Sequence, residues 1–332
     1  MKILLTGSTG FVGRKLAKYI LEQTEAILNL AVRNGSDKEA CVQASNQRAI
    51  LMRVGNISSG THWHEALIGC DLVIHAAARV HVMNDQVRDP LMEFREINVE
   101  GTLNLARQAE QAGVRRFIYL SSIKVNGEYT QPGIQFTPYD VAMPEDPYSI
   151  SKYEAEQGLM RLAEKSQMEI VIIRPPLVYG PGVKGNFLRM MQLLQKGIPL
   201  PLGALKENRR SFVSIDNLVN FIMICATHPC AANQVFLVSD GEDLSTTDLL
   251  CKIRKLFGKQ GMLLPVPAWI LNGAAILFGK KCEIMRLCGS LQVDTSKSQK
   301  LLNWGPIQGV DEALYSTVYD YIHKKGTLVS KT

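Results

Sequence analysis

The sequence has no CxxC pair and no Cys/His cluster at metal-ligand spacing. Its seven cysteines, Cys41, Cys70, Cys225, Cys230, Cys251, Cys282 and Cys288, are odd in number and widely spaced, which speaks against a disulfide framework or a metal site. They are expected to be mostly buried free thiols in a reducing compartment. Charge is never gathered into a run: 37 Lys and Arg against 31 Asp and Glu leave a net charge of +6 scattered along the chain. Without a basic stripe interleaved with aromatics, nucleic acid is not an expected partner, and the positive balance points at most to anionic ligands. Residues 3–5 lead straight into TGSTG with no long apolar leader and cleavage site, so a cytoplasmic location is expected. There is no internal repeat and no low-complexity tract.

A membrane span is lacking too. The most apolar stretch, MLLPVPAWILNGAAILFG (262–279), is broken by Pro265 and Pro267, and the remaining twelve residues are too short for roughly 30 Å of hydrocarbon. A buried amphipathic helix is expected there, with peripheral contact to a membrane surface as the alternative.

What is present is alternation. In 332 residues, enough for about two domains, short β-like runs alternate with helical patterns: KILLT, FVGRKLAKYILEQ, AILNLAV, a helical stretch ending near Ile68, then DLVIHAA. A long helix through LMEFREINVEGTLNLARQAEQAG, the strand RFIYLSS, the helix YSISKYEAEQGLMRLAEKS and the strand EIVIIRP follow. This specifies an α/β fold, a doubly wound parallel sheet whose ligand lies at the carboxyl ends of the strands. From Pro175 onward, Pro/Gly-rich loops such as PPLVYGPGVKGN imply a smaller mixed α/β domain, giving a division into 1–174 and 175–332. The run NQVFLVSD reads as one further strand with the option of returning to the main sheet, so no clean single linker is expected.

After the first strand, Gly7, Gly10 and Gly13 fall three apart in LLTGSTGFVG. Glycines let a diphosphate approach the backbone, and the helix beginning near Phe11 would offer it free N–H groups and a positive dipole end. A turn serving only packing is the competing reading; its place in a βαβ unit favours the cofactor. The tip of the second strand usually carries an acid for the adenosine ribose. Here Ala31 and Val32 stand there and Arg33 follows, which favours NADP over NAD unless Arg33 is a solvated loop charge.

Further on, Ser122 ends a strand and Tyr148 and Lys152 lie four apart on one face of a helix. A Lys ammonium beside the phenol is expected to draw its pKa down from about 10 and make Tyr148 a usable proton donor or acceptor. Ser122 could bond the same substrate oxygen and align it with the nicotinamide.

The segments TGSTGFVG, VIHAAA, NVEGT, YLSSIKVNG, YSISK and RPPLVYGPG, in that order, resemble the extended short-chain dehydrogenase/reductase family, the NAD-dependent epimerase/dehydratase group. The segments RRSFVSIDNL and LQVDTSKSQKLLNW resemble its later parts, so the likeness covers nearly the whole chain. The resemblance implies Ser122, Tyr148 and Lys152 as the catalytic trio, with Asn98 ordering the Lys through water. It implies a Rossmann cofactor site in which Gly7, Gly10, Phe11, Val12 and Gly13 touch the pyrophosphate, joined on the cofactor by Thr9. Ala76, Ala77 and Ala78 would line the nicotinamide ribose, and Pro175 and Val178 would pack near its amide. Asn56 and Ile57 stand where an Asp and an adenine-contacting apolar residue are usual. The family's ligand is a nucleoside-diphosphate sugar, held by Ser122, Lys124, Asn186, Arg210 and, less firmly, Arg286; the family also implies a homodimer.

Dehydratases of this group commonly carry Asp-Glu after the strand-end hydroxyl, where Ile123 and Lys124 stand, so dehydration is not expected. The missing acid at position 31 and Arg33 favour a UDP-sugar 4-ketoreductase acting on a UDP-4-keto-6-deoxy-N-acetylhexosamine. The alternative is a UDP-glucose or UDP-N-acetylglucosamine 4-epimerase with bound NAD. A catalytically silent NADP-binding regulator is a third reading, opposed by the intact trio.

Overall fold

Strands such as KILLT, RFIYL and EIVII have no polar face, so the sheet they form must be covered on both sides. The computed structural model describes residues 1–33, 46–80, 89–258, 262–267, 269–271, 273, 285 and 287–329. In it β1 (Lys2–Thr6), β2 (Ile27–Val32), β3 (Ala49–Arg53), β4 (Leu72–His75), β5 (Arg116–Leu120), β6 (Glu169–Arg174) and β9 (Gln234–Leu237) form one sheet in the order β3-β2-β1-β4-β5-β6-β9. Every pairing is parallel. The order reverses at β1, which places the ligand crevice above the ends of β1 and β4. A separate pair joins β7 (Leu177–Tyr179) and β8 (Phe212–Ser214).

The helices are α1 (Phe11–Gln23), α2 (His64–Leu67), α3 (Pro90–Arg95), α4 (Gly101–Gln111), α5 (Pro147–Ala163), α6 (Gly185–Gln195), α7 (Ile215–Thr227), α8 (Thr246–Leu256), α9 (Ser296–Leu302) and α10 (Val310–Val329). Alternate strand residues face opposite cores. Ile3 and Leu5 pack with Leu16 and Ile20 of α1 and Leu218 and Ile222 of α7, while Leu4 packs with Leu105 of α4 and Leu159 of α5. A third core joins α6, α8 and α10 through Met191, Leu250, Ile253 and Leu314.

The α/β class and the parallel sheet match expectation, and the NQVFLVSD strand does return, as β9 beside β6. Three readings are corrected. Residues 49–53, taken into a helical stretch, form the edge strand β3; AILMR is a short continuous apolar run, which periodicity alone does not separate from a helix. The long helix of residues 91–113 is not uniform, since Glu96–Glu100 forms a π turn between α3 and α4. Of the described cysteines only Cys70 and Cys225 are buried; Cys230 is exposed in a 3-10 turn, and Cys251 and Cys288 are half-buried. Cys41 and Cys282 lie outside the described residues. So does much of the 262–279 segment, where Leu271 is buried but Trp269 is 73% exposed. No helix among the described residues is long and apolar enough to cross a membrane.

Candidate active site

The first βα turn is closed by its glycines. Gly7 has φ +72°, and a Cβ there would lie 2.7 Å from the Ala77 nitrogen; one on Gly13 would lie 2.0 Å from the Gly7 carbonyl oxygen. Gly7 thus lets the end of β1 pass against Ala76 and Ala77, and Gly13 lets α1 start directly on the turn. Gly10 is the N-cap of α1, with no side-chain cap and no acid in the first turn. A thirteen-residue helix therefore ends at the switch point with its dipole uncompensated and its backbone close to the surface, a cradle that fits the diphosphate of a dinucleotide. Thr9, Phe11 and Val12 complete this turn; the Thr9 carbonyl also accepts from Arg14 Nε at 2.9 Å.

Beneath the cradle runs a string that the sequence did not reveal. Thr6 Oγ1 lies 2.7 Å from His75 Nδ1, His75 Nε2 lies 2.9 Å from Thr102 Oγ1, and Ala77 N donates to Thr6 Oγ1 at 3.2 Å. Burial pushes His75 down to about 3, so it stays neutral and joins β1, β4 and α4. Ile57 is half-buried against α4, where Gly101 clears it: a Cβ there would lie 2.6 Å from Ile57 Cγ2. Asn56 is exposed, and Arg33 is exposed one residue past β2.

Ser122 follows β5 and caps a 3-10 turn at Ile123–Val125. Tyr148 and Lys152 come from α5, whose buried side carries Ser149, Ser151, Lys152, Ala155, Glu156 and Leu159. Asp146 starts that helix with a capping box: its side chain accepts from Ser149 N at 2.7 Å, and Ser149 Oγ accepts from Asp146 N at 3.0 Å. The Ser122 hydroxyl acts to lower the Tyr148 phenol. The Tyr148 ring meets Phe94 edge-on at 6.2 Å, and Lys152 Nζ stands 5.9 Å from its centroid. Pro175 is buried beside the trio, accepting from Ile123 N at 3.0 Å, and Val178 lies in β7 against the first core.

The electrostatics differ from expectation. Lys152 Nζ donates to the Leu120 carbonyl at 2.8 Å and lies 4.5 Å over the Tyr119 ring, rather than on the phenol. Burial pulls Lys152 down to about 7, against the opposing field of Glu156. Burial, then the Asp146 carboxylate, push Tyr148 up to about 12, against the Ser122 hydrogen bond. The phenol is therefore not drawn down in this arrangement, because loss of hydration and the Asp146 charge outweigh the Ser122 hydroxyl, while the Lys152 ammonium is bonded to Leu120 instead.

Asn98 lies in the π turn and is fully engaged. Its Oδ1 accepts from Arg79 N at 2.8 Å, and its Nδ2 donates to the Arg79 carbonyl at 3.1 Å and to Ser151 Oγ at 3.0 Å. Below Lys152 lies another feature the sequence hid: Glu156 pairs with Arg174 at 2.5 Å, both buried, and also receives the Ser121 hydroxyl. Spacing of four from Lys152 was the available signal. Lys124 Nζ is bonded to Glu128 and Asp146, each at 2.6 Å. Asn186 is exposed in the first turn of α6, and Arg210 donates to the Gly289 carbonyl at 3.0 Å. Arg286 lies outside the described residues.

A family model described as the NAD dependent epimerase/dehydratase family matches residues 3–239. The chain is 47% identical over 320 residues to a UDP-glucose 4-epimerase of Vibrio cholerae, covering 96% of this chain and 95% of that one. It is 27% identical to an N-acetyl-alpha-D-glucosaminyl-diphospho-ditrans,octacis-undecaprenol 4-epimerase of Escherichia coli O157:H7, covering 97% and 96%. The solved UDP-glucuronic acid 4-epimerase of Bacillus cereus, in complex with NAD, shares the fold at a TM-score of 0.78 and 21% identity, over 98% and 99% of the chains.

Proposed function

The chain belongs to the NAD-dependent epimerase/dehydratase family, and from that premise we propose that it is a UDP-sugar 4-epimerase working on bound NAD. The likeness to the Vibrio cholerae UDP-glucose 4-epimerase along 96% of the chain carries this reading. It displaces the 4-ketoreductase expected from Ala31 and Arg33, and the preference for NADP finds no support: the family is described by NAD, and the solved relative from Bacillus cereus holds it.

In this reading the Gly7–Gly13 turn and the N-terminus of α1 hold the cofactor diphosphate, and Ala76–Ala78 border its nicotinamide half. Bound NAD supplies reversible hydride acceptance at sugar C4. Tyr148 takes the proton of the 4-hydroxyl and returns it, Ser122 holds the same oxygen in line, and Lys152 supplies positive charge beside them. Asn98 keeps the strand-end segment at Arg79 fixed against α5. Asn186 and Arg210 are the proposed partners of the sugar-nucleotide diphosphate.

Denaturing the purified protein and identifying the released nucleotide tests this. Stoichiometric NAD, with interconversion of UDP-glucose and UDP-galactose or their N-acetyl counterparts without added cofactor, is expected. An empty site, with NADPH consumed only when a UDP-4-keto-6-deoxy sugar is supplied, would restore the reductase.

A further inference from the structure

The sequence pattern sets Lys124 among the substrate ligands, yet its ammonium is occupied within the protein. Nζ lies 2.6 Å from Glu128 Oε1 and 2.6 Å from Asp146 Oδ2, and the residue's backbone nitrogen donates to Ser122 Oγ at 3.3 Å. Asp146 is the N-cap of α5, and Tyr148 is the second residue of that helix. Lys124 thus touches the two structural units that carry Ser122 and Tyr148: the end of β5, through its backbone nitrogen, and the start of α5, through its ammonium.

We propose that Lys124 is a positioning residue of the active site, which ties the strand-end Ser122 to the cap of α5 and cancels the Asp146 charge two residues from Tyr148. The proposal rests on the epimerase reading for its kinetic form. Two carboxylates converge on this ammonium, one of them, Glu128, only 7% exposed. Burial raises the Asp146 carboxyl, but the bonds from Lys124 and Ser149 outweigh it and hold it below the ordinary range, so it is ionised at neutral pH. An ionised cap would act against the helix dipole, which otherwise favours negative charge at Tyr148.

Other groups face the phenol as well. Lys152 lies one turn along α5, and Tyr119 approaches from β5. Behind Phe94 on α3, Arg79 stacks at 5.6 Å and pairs with Glu93 at 3.8 Å, a self-compensated couple. Lys124 bridges the phenol's neighbour Asp146 and a second carboxylate, Glu128. Removing its cation leaves the Asp146 carboxylate with only its cap bonds to Ser149, and the phenol then ionises at higher pH.

The test compares Lys124→Met, Lys124→Arg, Asp146→Asn and the Lys124→Met/Asp146→Asn pair, since Asn preserves the cap without charge. For Lys124→Met, kcat at neutral pH is expected to fall on the order of tenfold, with the Tyr148 limb of the pH profile displaced upward by about one unit. KM should change less than about twofold, because the ammonium is engaged by Glu128 and Asp146 within the protein. Lys124→Arg should keep the profile, and adding Asp146→Asn to Lys124→Met should bring it most of the way back. A raised KM with an unmoved profile would return Lys124 to the substrate ligands; a lowered Tm with an unmoved profile would make it merely structural. Either result overturns the proposal. The Tyr148 ring Cζ shift in ¹³C-tyrosine-labelled protein reads the same titration without any substrate. If no UDP-sugar is turned over, the epimerase reading fails, while an undisplaced midpoint in that spectrum still decides against Lys124.

Discussion

Replacing Glu156 by Gln is expected to cost about 3 kcal/mol of stability, the low end of the range for breaking one side of a buried ion pair. The pair is 6% and 2% exposed, with Arg174 Nη2 at 2.5 Å and Nε at 3.0 and 3.2 Å from the Glu156 carboxylate oxygens. Removal of the charge strands a guanidinium in the core, relieved in part by the Gln amide and by Asn126, whose Oδ1 lies 2.9 Å from Arg174 Nη1. For a chain of this size the loss corresponds to a Tm lower by about 5–10 °C, readable by calorimetry. The double replacement Glu156→Met/Arg174→Met should recover most of it, since apolar substitution of both partners is often neutral or stabilising. A kinetic signature accompanies the loss. Burial holds Lys152 at about 7 and Glu156 opposes that burial, so the Gln variant should move the Lys152 limb of the kcat profile to lower pH. A Tm change under about 1 °C, or a double variant less stable than the single, would refute the reasoning.

Tyr148→Phe should lower kcat by about 10²–10⁴-fold, with NAD content and Tm unchanged, as read by turnover and by nucleotide release. Gly13→Ala places a Cβ 2.0 Å from the Gly7 oxygen, so the turn must open; purified protein should then carry much less nucleotide, and full occupancy would refute the cradle. The folded Asp146 carboxyl titrates below its unfolded value, so it contributes stability that is complete above about pH 4 and lost as pH falls through the folded value. Lys124→Met should flatten that acid limb in urea titrations. Arg33→Ala should leave bound NAD undiminished, whereas loss of the nucleotide would show that the side chain contributes to cofactor binding.

The apolar strands and the glycine turn were readable because each is a local rule: runs without a polar face demand a covered parallel sheet, and Gly7 and Gly13 stand where no side chain fits. Spacing also put Tyr148 and Lys152 on one helix, and α5 carries both, beyond the strand end at Ser122. The charge state was not. Whether Lys152 lowers the Tyr148 phenol depends on hydration and on Leu120, Glu156 and Asp146, partners brought in by tertiary packing. The two carboxylates on Lys124 were not legible in the sequence, because they come from four and 22 residues away and meet its ammonium only in the fold. The choice between hydride returned and hydride delivered once was also hidden, since Ala31 and Arg33 bear on the adenosine end of the cofactor and not on the sugar.

The π turn at Glu96–Glu100 acts as a phase shifter between two helices that must each keep a separate alignment. A residue in an α-helix occupies about 100° of rotation, and a π turn holds one residue more than the α geometry around it. That extra residue lets Phe94 reach Tyr148 while Asn98 and Gly101, further along, still meet Arg79 and Ile57. Winding the same residues as regular α-helix would turn everything after Glu100 by most of a residue's 100° against everything before Glu96, whereas deleting one residue would remove the bulge and keep the two helices in phase. The cost of a single-residue deletion here would thus fall on the bulge itself, where Asn98 holds the strand-end segment at Arg79, and not on the alignment of Phe94 with Tyr148.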